Sequence, residues 1–160
     1  MKTPFYNWKI YLDTCCLSRP FNDQTQTRIR RETEAIQTLL KSCFTEQCFW
    51  ITSDVLILEV NNTPNQIQRD YMRIQLNRAY QNVSIGATEN IRGQELEALG
   101  FKWFDALHLA CAESSQVDVF LTTDDRLIRT SNRVRALLQV RVENPYTWLQ
   151  EIRNAGDDEY

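Results

Sequence analysis

Residues 8–12 form a short apolar run that ends on Asp13 and Thr14. A run of this length, closed by polar residues, predicts a buried strand with an acid at its carboxyl end. Pro20 and Asn22-Asp23 mark a turn. Ile29, Ile36, Leu40 and Cys43 then recur at helical spacing and predict a helix whose outer face carries Arg28, Arg30, Arg31, Glu32 and Glu34. Residues 49–52 predict a second strand. Ser53-Asp54 offers an N-cap to the apolar run 55–60, which reads as a short helix although its branched residues also fit a strand. Glu59 is a lone acid in that run.

Thr63-Pro64-Asn65-Gln66 reads as a helix start, with Thr63 as N-cap, Pro64 at the first helical position and Gln66 closing a capping box. The helix is expected to run to about residue 80, with Ile67, Tyr71 and Ile74 on one face and Arg69 and Arg73 on another. Residues 83–85 predict a third strand, and Thr88 caps a helix that ends at Gly100. Residues 102–113 are rich in Ala and Leu and apolar on nearly every side, so they predict a buried helix with Asp105 as the anomaly in its first turn. The β-type run 117–123 stops on Asp124 and Asp125. Residues 137–142 predict a last strand, Asn144-Pro145 opens a short helix over 146–152, and 154–160 form a polar tail after a single domain spanning 1–153. Strands alternating with helices imply a parallel sheet covered on both faces, an α/β fold.

The length of 160 residues suits one core that buries about two thirds of the unfolded surface. Five cysteines, two of them adjacent at Cys15 and Cys16 and none in a Cys-x-x-Cys, indicate neither a disulfide framework nor a zinc ribbon and read as reduced core thiols. One histidine, His108, likewise fails to supply a zinc site of His and Cys. Residues 1–9 lack an apolar signal region and no run approaches membrane-spanning length, so a cytoplasmic protein without membrane contact is expected. The net charge of -3 argues neither for nor against nucleic acid. Its distribution is more informative: arginine supplies 14 of the 18 basic residues, and Arg126, Arg129, Arg133, Arg135 and Arg141 follow one another without an intervening acid. They read either as a solvated face or as forks that hold phosphates.

In a parallel sheet of this kind, ligands bind outside the carboxyl ends of the strands where the winding reverses. Asp13 and Asp124 would sit there, and Glu59 and Asp105 would lie near the amino ends of helices that start at the same edge. Gathered carboxylates repel one another unless a cation holds them, and hard carboxylate oxygens suit Mg²⁺ or Mn²⁺. Each acid also has a plainer reading. Asp13 and Asp124 fit as caps, Glu59 as an arginine partner and Asp105 as a helix-dipole partner.

Leu12-Asp13-Thr14, Ser53 followed six residues later by Glu59, Asp105-Ala106-Leu107-His108-Leu109-Ala110 and Thr122-Thr123-Asp124 together resemble, in order, the motifs of the PIN-domain family, in particular the VapC-like ribonucleases of bacterial toxin-antitoxin systems. The pieces span nearly the whole chain. The resemblance implies a three-layer α/β/α sandwich with a parallel sheet of about five strands and metal-dependent cleavage of RNA. It assigns Asp13, Glu59, Asp105 and Asp124 as catalytic and metal-ligating residues, with Mg²⁺ or Mn²⁺ as cofactor and hydroxyls of Thr14 and Thr122 beside them. His108 is read as a helix residue near the site and not as a ligand. Where the family often has Asp-Thr-Asn this chain has Asp13-Thr14-Cys15, which loses an amide but no metal ligand.

The partners implied by the resemblance are RNA, an antitoxin protein and a second copy of the chain, a homodimer formed through helices that include 29–44 and 67–80. Asp125 competes with Asp124 for a place at the site. The Thr122-x-Asp124 spacing favours Asp124, and Asp125 reads as a partner for Arg126. Arg19 and Arg126 are expected to hold flanking phosphates. Two rivals remain. A haloacid-dehalogenase-type phosphatase needs a second aspartate where Cys15 stands, and a catalytically silent PIN-fold RNA-binding or interaction module would not need the intact quartet.

Overall fold

The computed structural model describes residues 7–157. Along the chain it comprises β1 (Trp8–Leu12), α1 (Thr14–Ser18), a 3-10 turn (Arg19–Phe21), α2 (Thr27–Phe44), β2 (Cys48–Ser53), α3 (Asp54–Asn61) and α4 (Gln66–Leu76). β3 (Gln81–Val83), α5 (Ala87–Ala98), α6 (Trp103–Ser114), β4 (Val119–Leu121), α7 (Asp125–Arg133), a second 3-10 turn (Arg135–Leu137), β5 (Arg141–Glu143) and α8 (Pro145–Asp157) follow. The strands form one parallel sheet in the order β3-β2-β1-β4-β5. β1 is its centre, with Ile10 in register with Trp50 on one side and Val119 on the other. The chain winds outward from β1 through β2 to β3, then returns to the other side of β1, so the winding reverses between β1 and β4.

Alternation along β1 divides the interior into two layers, because successive side chains point to opposite faces of a sheet. Ile10 and Leu12 pack with Ile36 and Leu39 of α2, Leu56 of α3, Met72 of α4 and Trp148 of α8. Tyr11 packs on the opposite face with Leu96 of α5, Leu109 and Ala110 of α6 and Leu127 of α7. The parallel sheet covered on both faces is the one expected from the pattern, and its three α/β/α layers and five strands are those the resemblance implied. The nearly all-round apolar character of α6 also has its expected consequence, since every residue from Ala106 to Glu113 is buried.

Several local expectations are corrected. α4 starts at Gln66, later than Thr63-Pro64 implied, because the Asn65 side chain accepts from Gln68 N at 2.9 Å and takes the capping role. The Thr63 hydroxyl instead donates to the Glu59 carbonyl, and α4 stops at Leu76. Glu32 is not on the outer face of α2; it is buried and bonded to Arg19, Arg28 and Asn144. Cys43 and Cys48 form a disulfide between the last turn of α2 and the start of β2, so they are not the reduced thiols expected. Their Cα atoms are 4.5 Å apart, within bridging reach, and neither an odd cysteine count nor the absence of Cys-x-x-Cys excludes such a local pair. Cys15, Cys16 and Cys111 are free.

α5 is closed at its start by Glu89, whose carboxylate accepts from Gly86 N at 3.0 Å, rather than by Thr88. Its end is turned by Gly100 at φ +113, a conformation that L side chains rarely adopt, and an added Cβ there would meet Arg133 Nη2 at 2.8 Å. α8 extends to Asp157, past the expected end at 152. The start of the chain, in which no signal region was expected, and the last residues of the expected tail lie largely outside the described residues. Among the described residues no helix is long and apolar enough to cross a membrane.

Candidate metal centre

The reversal between β1 and β4 brings Asp13 and Asp124 together through the ends of neighbouring strands. Asp13 N donates to Leu121 O at 2.9 Å, and the Asp13 carboxylate caps α1 by accepting from Thr14 N through Oδ1 at 2.8 Å. Its other oxygen accepts from Thr122 Oγ1 at 2.8 Å and from Cys15 Sγ at 3.5 Å. Asp13 is only 7% exposed, so these donors replace the water that burial removes. Cys15, at the position where an amide was expected, also lies 3.3 Å from Thr122 Oγ1 and accepts from Thr123 N at 3.4 Å. A thiol there maintains the junction of the two strand ends.

Glu59 reaches the same place from α3. It stands in the second half of that helix, not near its amino end as expected, and Ser53 fixes the helix start by accepting from Leu56 N at 3.2 Å. Thr14 Oγ1 donates to Glu59 Oε1 at 2.9 Å, which joins α1 to α3. The fourth acid, Asp105, enters from the first turn of α6. With Lys102, Asp124 and Arg126 it lines a small cleft. A larger cavity, about 670 Å³, lies instead beside Cys43, Cys48 and Tyr80, and Asn7 and Cys48 put it at the opposite ends of β1 and β2.

The electrostatics mark the acids as one cluster. Burial pushes Asp105 up, and the charges of Asp13, Asp124 and Glu59 add to it against the opposing influence of His108, so its carboxyl titrates at about 6. Burial would also raise Glu59, but the hydrogen bond and charge of His108 and the bond from Thr14 hold it below the ordinary value. Burial would lower His108, yet the bond to Glu59 and the charges of Asp13, Glu59 and Asp105 hold it above the usual histidine value.

His108, read from sequence as a helix residue near the site and not as a ligand, lies near the site as expected and brings a ring nitrogen to the acids. Its Nε2 lies against Glu59 Oε1 and 3.8 Å from Asp13 Oδ1. Ligand atoms from Asp13, Glu59 and His108 all fall within 4.8 Å of one another, a set of donors able to surround a cation. Its place three residues after Asp105, on the same face of α6, was the available signal.

The remaining expected residues divide. Asp124 caps α7, accepting from Arg126 N and Leu127 N through Oδ1, and its own N–H donates to Thr122 Oγ1 at 3.1 Å. Asp125 points elsewhere and forms a two-armed ion pair with Arg28 at 2.7 and 2.8 Å, not with Arg126 as expected. Arg19 is occupied by Glu32 at 2.6 Å and by Asn22 at 3.2 Å. Arg133, Arg135 and Arg141 are bonded to Leu99 O, Asn132 and Glu151, which leaves Arg126 as the expected phosphate-holding arginine that borders the acids.

Residues 10–132 match the PIN domain, and the chain belongs to the PIN-domain family. Its structure is similar to that of VapBC2 from Rickettsia felis bound to a DNA fragment from its promoter, with a TM-score of 0.58 and 16% identity over 85% of this chain and 98% of that one. It is also similar to DNA-bound VapBC from Salmonella typhimurium, with a TM-score of 0.57 and 14% identity over 86% of this chain and 98% of that one. At such identities the likeness concerns the fold. No curated protein matches the sequence.

Proposed function

We propose that this PIN-domain protein is a metal-dependent endoribonuclease of the VapC type, the toxin of a toxin-antitoxin pair. The observation that carries the reading is that Asp105 is pushed up to about 6, first by burial and then by the charges of Asp13, Asp124 and Glu59 at the winding reversal. Such a cluster fits a hard divalent cation, Mg²⁺ or Mn²⁺, because a cation relieves the repulsion that otherwise forces a proton onto one carboxylate. When bound, the cation supplies charge relief on the phosphate and a water of lowered pKa.

The protein's own part is to hold and aim. Asp13 and Asp105 ligate the principal ion, and Thr122 and Thr14 N fix both Asp13 oxygens. Glu59, held by Thr14, ligates directly or through water and orients the attacking water. Asp124 serves a second ion or its waters from the start of α7. Arg126, at the rim of the cleft, holds a flanking phosphate.

The test is cleavage of a structured RNA by the wild type and by Asp13→Asn and Asp105→Asn in Mg²⁺ or Mn²⁺. Cutting that needs the metal and is lost in both variants is expected. Cutting that survives excess EDTA or Asp13→Asn removes the reading, and absence of cutting with tight RNA binding points to the catalytically silent module.

The partner reading rests on exposed apolar side chains and on the two solved structures named above being VapBC complexes. Ile67 and Ile74 of α4 and Leu58 of α3 are exposed, and Phe21 packs edge-on against Tyr71 beside them. This face is proposed to receive an antitoxin or a second copy of the chain. No comparable exposed apolar residue lies on the described part of α2, so the support falls on the α4 half of the expected interface. Sedimentation at high concentration is expected to give a homodimer. A monomer that remains monomeric when Ile67→Glu is introduced would assign the face to another partner.

A further inference from the structure

We propose that His108 is itself a metal ligand through Nε2, beside Asp13 and Glu59, and that this nitrogen makes the site select Mn²⁺ over Mg²⁺. The proposal rests on the metal-dependent reading above and concerns which of this chain's atoms hold the ion.

The argument starts at the far side of the ring. His108 is fully buried on α6, and its Nδ1 lies 2.6 Å from the Tyr11 hydroxyl. That hydroxyl is in turn 2.6 Å from Ser53 Oγ, which accepts from Leu56 N as the cap of α3. Tyr11 has little freedom to move, because its ring stacks on Phe120 at 5.2 Å with the planes 11° apart. A chain in which Nδ1–H donates to Tyr11 and Tyr11 donates to Ser53 leaves the Nε2 lone pair directed at Glu59. Metal-ligating histidines characteristically have their other ring nitrogen held in this way, which sets tautomer and ring orientation.

On the near side, Nε2 meets two carboxylates, Glu59 in contact and Asp13 Oδ1 at 3.8 Å. One N–H serves one acceptor well, whereas a cation between them serves all three donors. Ligand atoms about 2.1 Å from a common ion lie at most about 4.2 Å apart; the three here lie within 4.8 Å of one another, so a side-chain adjustment of about 0.6 Å brings them onto one ion. Mg²⁺ is bound through carboxylates and waters, whereas imidazole is a donor for transition ions. A mixed set of two carboxylates and one imidazole therefore favours Mn²⁺. The opposite chain, Ser53 to Tyr11 to Nδ1, would leave Nε2–H donating to Glu59, with no bond from the ring to the ion.

His108 is the only histidine in the chain, so any imidazole signal belongs to it. The experiment is pulsed electron paramagnetic resonance of Mn²⁺ bound to wild-type protein labelled with ¹⁵N at histidine alone, together with calorimetric titration of Mn²⁺ and of Mg²⁺ into wild type and His108→Gln. Direct ¹⁵N coupling and a Mn²⁺-to-Mg²⁺ affinity ratio that falls at least about tenfold in His108→Gln are expected. Mn²⁺ that binds without ¹⁵N coupling overturns the ligand assignment and leaves the metal reading intact. An unchanged affinity ratio overturns the selectivity. Wild-type protein that binds no Mn²⁺ sinks both this proposal and the metal site on which it stands. The resonance arm needs no variant, so a His108→Gln chain that does not fold leaves the decision to it.

Discussion

Thr122 Oγ1 donates to Asp13 Oδ2 at 2.8 Å and accepts from Asp124 N at 3.1 Å, so one hydroxyl ties together the acids that end β1 and β4. Thr122→Val keeps the shape and removes that hydroxyl, leaving a buried carboxylate oxygen short of a donor. The fold should survive with about 1–2 kcal/mol less stability. Affinity for Mn²⁺ should fall about 10–100-fold, since partners that orient a ligand carry effects of that size. Urea unfolding and calorimetric titration measure the two quantities, and unaltered Mn²⁺ affinity would show that Thr122 does not position Asp13.

The carboxylate cluster also predicts how stability varies with pH. Asp105 is raised from 3.8 to about 6, so between those values the folded chain binds more protons than the unfolded one, and stability increases as pH falls through about 6. His108 is raised as well, and a raised histidine stabilises below its unfolded pKa and loses that contribution as pH rises through its folded pKa. Both effects make the metal-free protein less stable on the alkaline side. Glu59, Asp125 and Glu151 are lowered and act in the opposite sense, but only as pH falls below the ordinary carboxylate range. Scanning calorimetry in EDTA should therefore give a higher Tm at pH 5.5 than at pH 8. Saturating Mn²⁺ should raise Tm more at pH 8, where no proton competes for the carboxylates. A metal-free Tm that climbs from pH 5.5 to pH 8 would contradict the repulsion.

What was legible in the sequence was local, or carried by the order of motifs. The continuous apolar run before Asp13, the Ser53 cap of α3 and the all-round apolar α6 each contain their own signal within a few residues, and those elements appear where expected. The four acids were singled out because each is an anomaly in an apolar setting and because the motifs that carry them follow in order. Features that depend on distant partners were misread. Glu32 looks like a solvated helix charge, yet it is sequestered by Arg19, 13 residues away, and by Asn144, 112 residues away. His108 was placed near the site, but its bond to Tyr11, 97 residues earlier in the chain, left no mark in the sequence. The start of α4 failed differently, through competition between two good caps two residues apart, which Asn65 wins.

Buried Glu32 carries its own prediction. Its side chain is 2% exposed and accepts two Arg19 guanidinium bonds at 2.6 and 3.1 Å. Removing one partner of a buried pair leaves the other charge uncompensated, at a cost of about 3–5 kcal/mol. Glu32→Ala should lower the urea midpoint by a corresponding amount and leave Mn²⁺ affinity nearly unchanged, because Glu32 stands outside the metal cluster. A loss of Mn²⁺ affinity at unchanged stability would mean that Arg19 and Glu32 belong to the site.

The choice between Asp124 and Asp125 can be decided with minimal structural disturbance. Asparagine is as good an N-cap as aspartate, so Asp124→Asn keeps the bonds to Arg126 N and Leu127 N while removing only the charge. Asp125→Asn removes an exposed ion pair with Arg28, worth about 0–1 kcal/mol. If Asp124 serves the reaction, its variant should lose about 10–100-fold in RNA cleavage at nearly wild-type stability, and Asp125→Asn should cut as the wild type does. Arg126→Ala should weaken RNA binding and reduce the salt dependence by about one charge, with Mn²⁺ affinity retained. Equal losses from Asp124→Asn and Asp125→Asn would point to long-range charge rather than position, and a loss confined to Asp125→Asn would transfer the role to the residue that the structure pairs with Arg28.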